Sequence, residues 1–373
     1  MWTNSKIKWG YATSRIPNLP RQWGDAGGRI RLDSLAPQRN DVLLSEVVSL
    51  GRHKRIDLHN RCKSKLFVGD VVGLVLSPRY ATRQFEAVVP PTLDELHFVC
   101  AGGVCGRVIG VPDMMTPPTL LRPLGYLLDD QGERVNLKRH ALETVDHDND
   151  ADVIVVVGSS MDSGKTTAAF SLLNGLSHSG HAVAAAKITG TASCKDLSAL
   201  IDAGATRALD FTDAGFGSTA DLSAHELWEI ANTLISHLAD ENPDTIVIEI
   251  ADGLLQRETA ALLGMIADMP QFRGALFTCT DSLHVAPGIA RLQSYGLNVL
   301  AVSGLVTASH LSIREAEQET SVPVLSSEDL KSPSVAVRIG LMSPDSQSLN
   351  TPFNHVLAQS PRFNAAVHTN GSA

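Results

Sequence analysis

Apolar positions along the chain follow two rhythms that meet near residue 143. In the first half they come in short runs, Leu66-Phe67-Val68, Val71 to Leu76, Ala87-Val88-Val89 and Val108-Ile109-Gly110-Val111. Gly69-Asp70, Pro78, Pro90-Pro91 and Gly102-Gly103 punctuate them. Short apolar runs bounded by turn residues predict a small β-rich barrel or sandwich over residues 1–143. From residue 151 onward, strand-like runs alternate with helix-like segments. The strands are read at Val153 to Val157, Ala182 to Ile188, Thr245 to Ile250, Gly274 to Thr278, Asn298 to Val302 and Val322 to Leu325. That alternation predicts an α/β domain over 151–331, a mostly parallel sheet doubly wound with helices on both faces.

Local signals refine these boundaries. The acidic stretch Glu143 to Asp150 reads as a linker or surface turn between the halves. Capping-box patterns open one helix at Ser223, with Glu226 three residues on, and another near Ser312, with Glu315. Beyond Lys331 the chain becomes rich in Ser, Pro, Asn and Gln, which predicts a loosely packed or disordered tail over 332–373.

The first strand of the second half carries the chemistry. Val153 to Ala168 reads VIVVVGSSMDSGKTTA, a β-branched strand running into a glycine-bounded loop and then a helix over Thr166 to Leu176. Such a loop cradles phosphate, because its amides and the helix N-terminus offer partial positive charge. Lys165 adds a full charge, and the Thr166 hydroxyl can complete a Mg²⁺ shell. Gly158, Ser159, Asp162, Ser163, Gly164, Lys165, Thr166 and Thr167 are therefore the candidate nucleotide-binding residues. Gly158 and Gly164 enclose five residues, Ser159 to Ser163, against the usual four.

Acidic groups at neighbouring strand ends decide what a phosphate loop does. Thr245 to Gly253 places Glu249 near the C-terminal end of a buried strand, where ligands of open α/β sheets gather. A carboxylate between Ile248 and Ile250 is costly to bury alone, so Glu249 is the candidate Mg²⁺ ligand beside Thr166. Asp252, in the following turn, either orients a substrate or water or merely shapes the backbone before Gly253. Lys187, Thr189 and Gly190 sit at the mouth of the second strand. They either hold a carboxylate or a γ-phosphate, or serve as a surface lysine beside a helix cap. The loop Asp210 to Thr219 is either a switch or lid, or a plain connection.

Composition narrows the class. The chain has 373 residues, is 43% hydrophobic and carries a formal net charge of −9. That size allows two domains, and the acidic balance argues against general attraction to nucleic acid or anionic membrane. Five scattered cysteines suggest no disulfide framework, and no stretch approaches the length needed to span a bilayer, so a reduced cytoplasm is expected.

The loop interval, the Lys187-Ile-Thr189-Gly190 turn and Glu249-Ile-Ala-Asp-Gly253 together resemble dethiobiotin synthetase and its relatives among the P-loop ATPases. The resemblance covers about half the chain and leaves out the first 150 residues. It implies that Lys165 and Thr166 bind phosphates and Mg²⁺, that Glu249 binds Mg²⁺, and that Lys187 with Thr189 faces an acyl or carbamate group. It also implies a homodimer. Ile250 and Asp252 stand where that family carries glycines, so a different substrate pocket is expected. Ser160 stands where partitioning ATPases carry a signature lysine, and no Asn-Lys-x-Asp motif selects guanine, which favours ATP. The function expected is ATP- and Mg²⁺-dependent activation of a small carboxylate, carbamate or hydroxyl, with Lys165, Lys187 and Asp252 in catalytic roles. The alternative is a nucleotide-controlled regulator whose N-terminal domain binds a protein partner.

Little in the N-terminal half names a ligand. Arg79 to Glu86 alternates basic and aromatic residues and either contacts an anion or partner, or forms an amphipathic strand with solvated arginines. Cys100 and Cys105 read as small buried thiols rather than a metal site, and His53, His59 and His97 share no ligand spacing.

Overall fold

In the computed structural model, which describes residues 5–145 and 150–343, the strands before and after residue 150 share no sheet. The N-terminal set is β1 (Ile7–Trp9), β2 (Ile30–Arg31), β3 (Val42–Ser49), β4 (Arg55–Asp57), β5 (Lys63–Lys65), β6 (Val71–Leu76), β7 (Glu86–Val88), β8 (Leu96–Cys100), β9 (Val104–Gly110) and β10 (Thr119–Leu127). The path β6-β3-β10-β8-β9 closes on itself because β9 also pairs with β6. Closure into a barrel removes most of the open edges a small sheet would expose. The alternative of a sandwich is thereby set aside.

The barrel explains why its central strands read as unbroken apolar runs. On β6, Val72, Leu74 and Leu76 point into the barrel with Leu43, Phe98 and Leu121. Val71 and Val75 point the other way, into a core that continues through the second half of the chain. Alternate side chains on a strand face opposite sides, and here both sides are buried. By contrast Leu66-Phe67-Val68 is not a strand: Leu66 is buried, while Phe67 and Val68 stand exposed in a turn.

The C-terminal set is β11 (Asp152–Gly158), α1 (Lys165–His178), β12 (Val183–Lys187), α2 (Cys194–Asp202), β13 (Ala208–Asp210), α3 (Ala224–Ala239), β14 (Thr245–Glu249), α4 (Arg257–Ala267), β15 (Phe272–Thr278), α5 (Val285–Ser294), β16 (Val299–Ser303), α6 (His310–Gln318), α7 (Ser327–Lys331) and α8 (Val335–Arg338). The sheet is parallel, in the order β13-β12-β14-β11-β15-β16. Right-handed crossovers in that order put α1 and α2 on one face and α3, α4 and α5 on the other. In keeping with this, α1 packs with α2, α7 and α8, and α3 packs with α4.

Three local expectations change. Val322 to Leu325 makes only a parallel bridge, Val302 to Val324, because the chain reaches the sheet edge for a single register position. The helix expected near Ser312 begins earlier, with Ser309 accepting from the Ser312 amide as its cap. Residues 332–343 are not loose: Val335 and Ala336 are fully buried, and α8 packs on α1. A few apolar residues docked on a helix outweigh the polar composition around them. The rest of the expected tail, 344–373, and linker residues 146–149 lie outside the described residues. The described start of the linker follows α3, with Thr144 bonded to Thr233 and the Glu143 carbonyl to His237.

Candidate nucleotide site

The loop after β11 is shaped by contacts that leave little freedom. Val153 to Val157 are completely buried between β14 and β15, so the loop leaves the sheet at its centre. A Cβ on Gly158 would lie 2.2 Å from Ser163 Oγ and 2.8 Å from Thr278 Oγ1, which only glycine avoids. Gly164 has φ +101° and immediately precedes α1, a backbone that favours glycine. The Ser159 amide donates to the Thr278 carbonyl, and Ser163 Oγ bonds Thr278 Oγ1 at 2.8 Å. The first amides of α1, at Lys165, Thr166 and Thr167, have no acceptor among the described residues, as at any helix N-terminus.

Charged side chains converge in front of this loop. Lys165 Nζ donates to the Ser160 carbonyl at 2.8 Å and to the Asp252 carbonyl. Burial pushes the Lys165 pKa down to about 8. Thr166 Oγ1 donates to Glu249 Oε1 at 2.9 Å. Lys187 Nζ lies between two carboxylates, 2.5 Å from Asp196 Oδ2 and 3.2 Å from Glu249 Oε1. Burial opposes the Lys187 charge, but Glu249 and Asp196 outweigh it and hold its pKa above the ordinary lysine value. Burial raises the Asp252 carboxyl, with Lys165 and Lys187 pulling it back.

These side chains line a cavity of about 400 Å³ together with Met161, Asp162, Thr167, Phe170 and Lys195. Asp162 holds the left-handed conformation at φ +63°, which aspartate tolerates better than most residues. Thr189 and Gly190 are instead built into the turn behind the cavity. The Thr189 hydroxyl accepts from the Ala251 amide, and Gly190 N donates to Thr219 Oγ1, each at 2.8 Å. Sequence reasoning passed over Lys195 and Asp196. Their signal is an acid in the first turn of the helix that follows the Lys187 strand, where helix dipoles favour negative charge.

The donor set suits Mg²⁺. Glu249 is 2% exposed and its Oε2 has no hydrogen-bond partner, which is costly for a carboxylate unless something cationic meets it. Among the described residues no cluster of three metal-ligating side chains exists, so such an ion would draw its remaining ligands from phosphate and water. Thr166 and Glu249 are the residues that would hold it, and it would neutralise charge on the phosphate oxygens.

The N-terminal domain grips the loop that leaves β13. Tyr11 Oη donates to Asp210 Oδ2 at 2.8 Å, and Asn40 Oδ1 accepts from the Gly217 amide at 3.1 Å. Lys138 lies over the Phe216 ring, and the Leu142 amide donates to the Asp213 carbonyl. Cys100 Sγ reaches the Ala192 carbonyl at 3.2 Å. The cysteines are all free, and all but Cys62 are buried.

A phosphate loop joining the central strand of a parallel sheet to its helix, with a carboxylate on the adjacent strand, defines the C-terminal half as a P-loop NTPase fold. Solved structures similar to the chain include three proteins. They are the signal recognition particle receptor FtsY of Elizabethkingia anophelis in complex with GDP (17% identity, 52% of this chain and 63% of that one, TM-score 0.34), the signal recognition particle 54 kDa protein of Aeropyrum pernix in complex with GDP (18%, 55% and 50%, 0.36) and the hydrogenase maturation factor HypB of Archaeoglobus fulgidus (13%, 47% and 80%, 0.31). The first match spans less than two thirds of the receptor chain. The class rests on the loop and sheet described above. No protein-family model and no curated protein matches the chain. Among the described residues no helix is long and apolar enough to cross a membrane.

Proposed function

We propose that the C-terminal domain binds ATP with Mg²⁺ and that the protein is an enzyme activating a small carboxylate, carbamate or hydroxyl by phosphoryl transfer. The observation that carries this is the convergence of Lys165, Thr166, Lys187 and the half-partnered Glu249 on one cavity. Phosphoryl transfer needs positioning and charge neutralisation more than covalent chemistry, and these groups supply both. The resemblance of the loop and its two neighbouring turns to dethiobiotin synthetase supports the choice of acceptor class. Lys195 and Asp196 at the cavity wall would face that acceptor, with Asp252 orienting it. ATP is preferred to GTP because the end of β15 and the residues after it, Thr278-Cys279-Thr280-Asp281, lack the Asn-Lys pair.

A second reading has its own observation. Tyr11 and Asn40 hold the Asp210 to Thr219 loop against the barrel, as a regulator that senses nucleotide through this loop would require. Calorimetric titration with Mg-ATP and Mg-GTP tests nucleotide binding, and ADP release measured against a panel of small acids tests transfer. An enzyme accelerates with one acceptor. A regulator turns over slowly whatever acid is present and changes its domain contact between di- and triphosphate. Absence of heat with both triphosphates would remove both readings.

A further inference from the structure

Resting on the nucleotide reading, we propose that Arg83 of the N-terminal barrel supplies a guanidinium to the terminal phosphate of the bound triphosphate, completing the site from the other domain. Arg83 Nη1 lies 3.6 Å from Asp162 Oδ2, and Thr82 Oγ1 lies 4.0 Å from Met161 Sδ. Asp162 and Met161 are phosphate-loop residues that line the same cavity as Lys165 and Thr166. The barrel therefore touches the loop where the phosphate chain would emerge.

The segment is built to present this one side chain. At its base, Arg79 and Ala87 exchange both backbone hydrogen bonds, and the buried Arg79 guanidinium donates to the Val99 carbonyl. Ala81 and Phe85 are buried on either side of the tip, and the Gln84 amide closes the turn onto the Ala81 carbonyl at 2.9 Å. Between these anchors the Arg83 side chain stands 64% exposed. A solvated ion pair with Asp162 is worth little, so exchanging the carboxylate for phosphate costs little.

Charge balance gives the exchange a reason. The cavity is lined by three lysines, Lys165, Lys187 and Lys195, and four carboxylates, Asp162, Asp196, Glu249 and Asp252. A metal-chelated triphosphate adds roughly two more negative charges, and Arg83 is a barrel cation that already meets the loop, at Asp162. Its planar fork can engage two phosphate oxygens at once, which an ammonium cannot. The barrel would then detect whether the terminal phosphate is present.

The test compares ATP, ADP, GTP and GDP, each with Mg²⁺, titrated calorimetrically into the full chain, Arg83→Ala and Arg83→Lys. Arg83→Ala should weaken the preferred triphosphate about tenfold, the scale of one charge-assisted hydrogen bond. The diphosphate should shift less than about twofold, and Arg83→Lys should recover part of the loss. Unchanged affinity for both, or equal weakening of both, overturns the role of Arg83 while leaving the nucleotide reading standing. A wild-type chain that takes up neither triphosphate overturns both.

Discussion

Two clusters in this molecule handle carboxylates in opposite ways. At the nucleotide cavity, Glu249 and Asp196 share the Lys187 ammonium, and Thr166 adds a hydroxyl. At the domain boundary, the buried Asp210 has hydroxyl and amide partners, Tyr11 Oη, Thr212 N and Thr212 Oγ1. Burial, with Asp213 beside it, pushes the Asp210 pKa up to about 6, and burial raises Asp213 as well. In the first cluster a fixed ammonium stands between the two carboxylates. In the second, Arg15 lies 3.4 Å from Asp213 and Arg61 acts on it from farther off, and the charge of Asp210 depends on pH. The cavity proposed to bind nucleotide holds its carboxylates against a lysine, and the domain contact holds its carboxylates mainly against hydroxyl and amide donors.

Breaking the compensation should have the largest effect. Lys187→Met strips the buried Glu249 and the partly exposed Asp196 of their shared ammonium, and urea denaturation should show a loss of about 3 kcal/mol or more. If stability is retained, Lys187 is not what neutralises those carboxylates. Lys165→Ala should act the other way round. Triphosphate affinity should drop by about 100-fold or more, on the scale of losing a buried charge-assisted contact. Stability should hold or rise slightly, because burial already disfavours the Lys165 charge. Calorimetry and thermal melts on the same samples separate the two outcomes.

The boundary cluster yields the pH-dependent expectation. The folded pKa of Asp210 is raised above the ordinary 3.8, so the folded state binds the proton more tightly. This carboxyl therefore contributes stability that is present at low pH and lost as pH rises from about 4 to about 6. The loss is on the order of 2–3 kcal/mol before other carboxylates are counted. Asp210→Asn should flatten that part of the stability profile relative to wild type, and parallel profiles would show that Asp210 does not titrate there. The smallest effect expected is from Tyr11→Phe, about 1–2 kcal/mol at pH 7. It should shrink near pH 4, where Asp210 no longer needs a donor, and an equal loss at both pH values would point to packing alone.

Much of the nucleotide domain was legible because its signals are local. A β-branched strand followed by Gly158 and Gly164-Lys165-Thr166 can be read without knowing what lies beside it, and the Ser223 and Glu226 capping box forms as its spacing requires. The barrel was less legible. Its strands β3, β8 and β10 fell outside the apolar runs first singled out, since β10 carries Arg122, Pro123 and Gly125 among its leucines. Polar positions on a strand say nothing about which neighbour will close the ring. Asp196 was missed because its importance comes from lying opposite Lys187, and Arg83 could not be aimed anywhere until the barrel was docked.

The amino-acid order by itself determined the glycine-bounded loop, the alternation of strand and helix behind it, and the placing of Lys165, Thr166 and Glu249 at the ends of their elements, because each depends on contacts within a few residues or on the period of one element. Only the tertiary structure decided that the barrel closes, that Lys187 is shared between two carboxylates, and that Tyr11 and Arg83 reach the second domain. Those outcomes join residues far apart in the chain, where the spacing of side chains carries no information and the packing of two cores selects the partner.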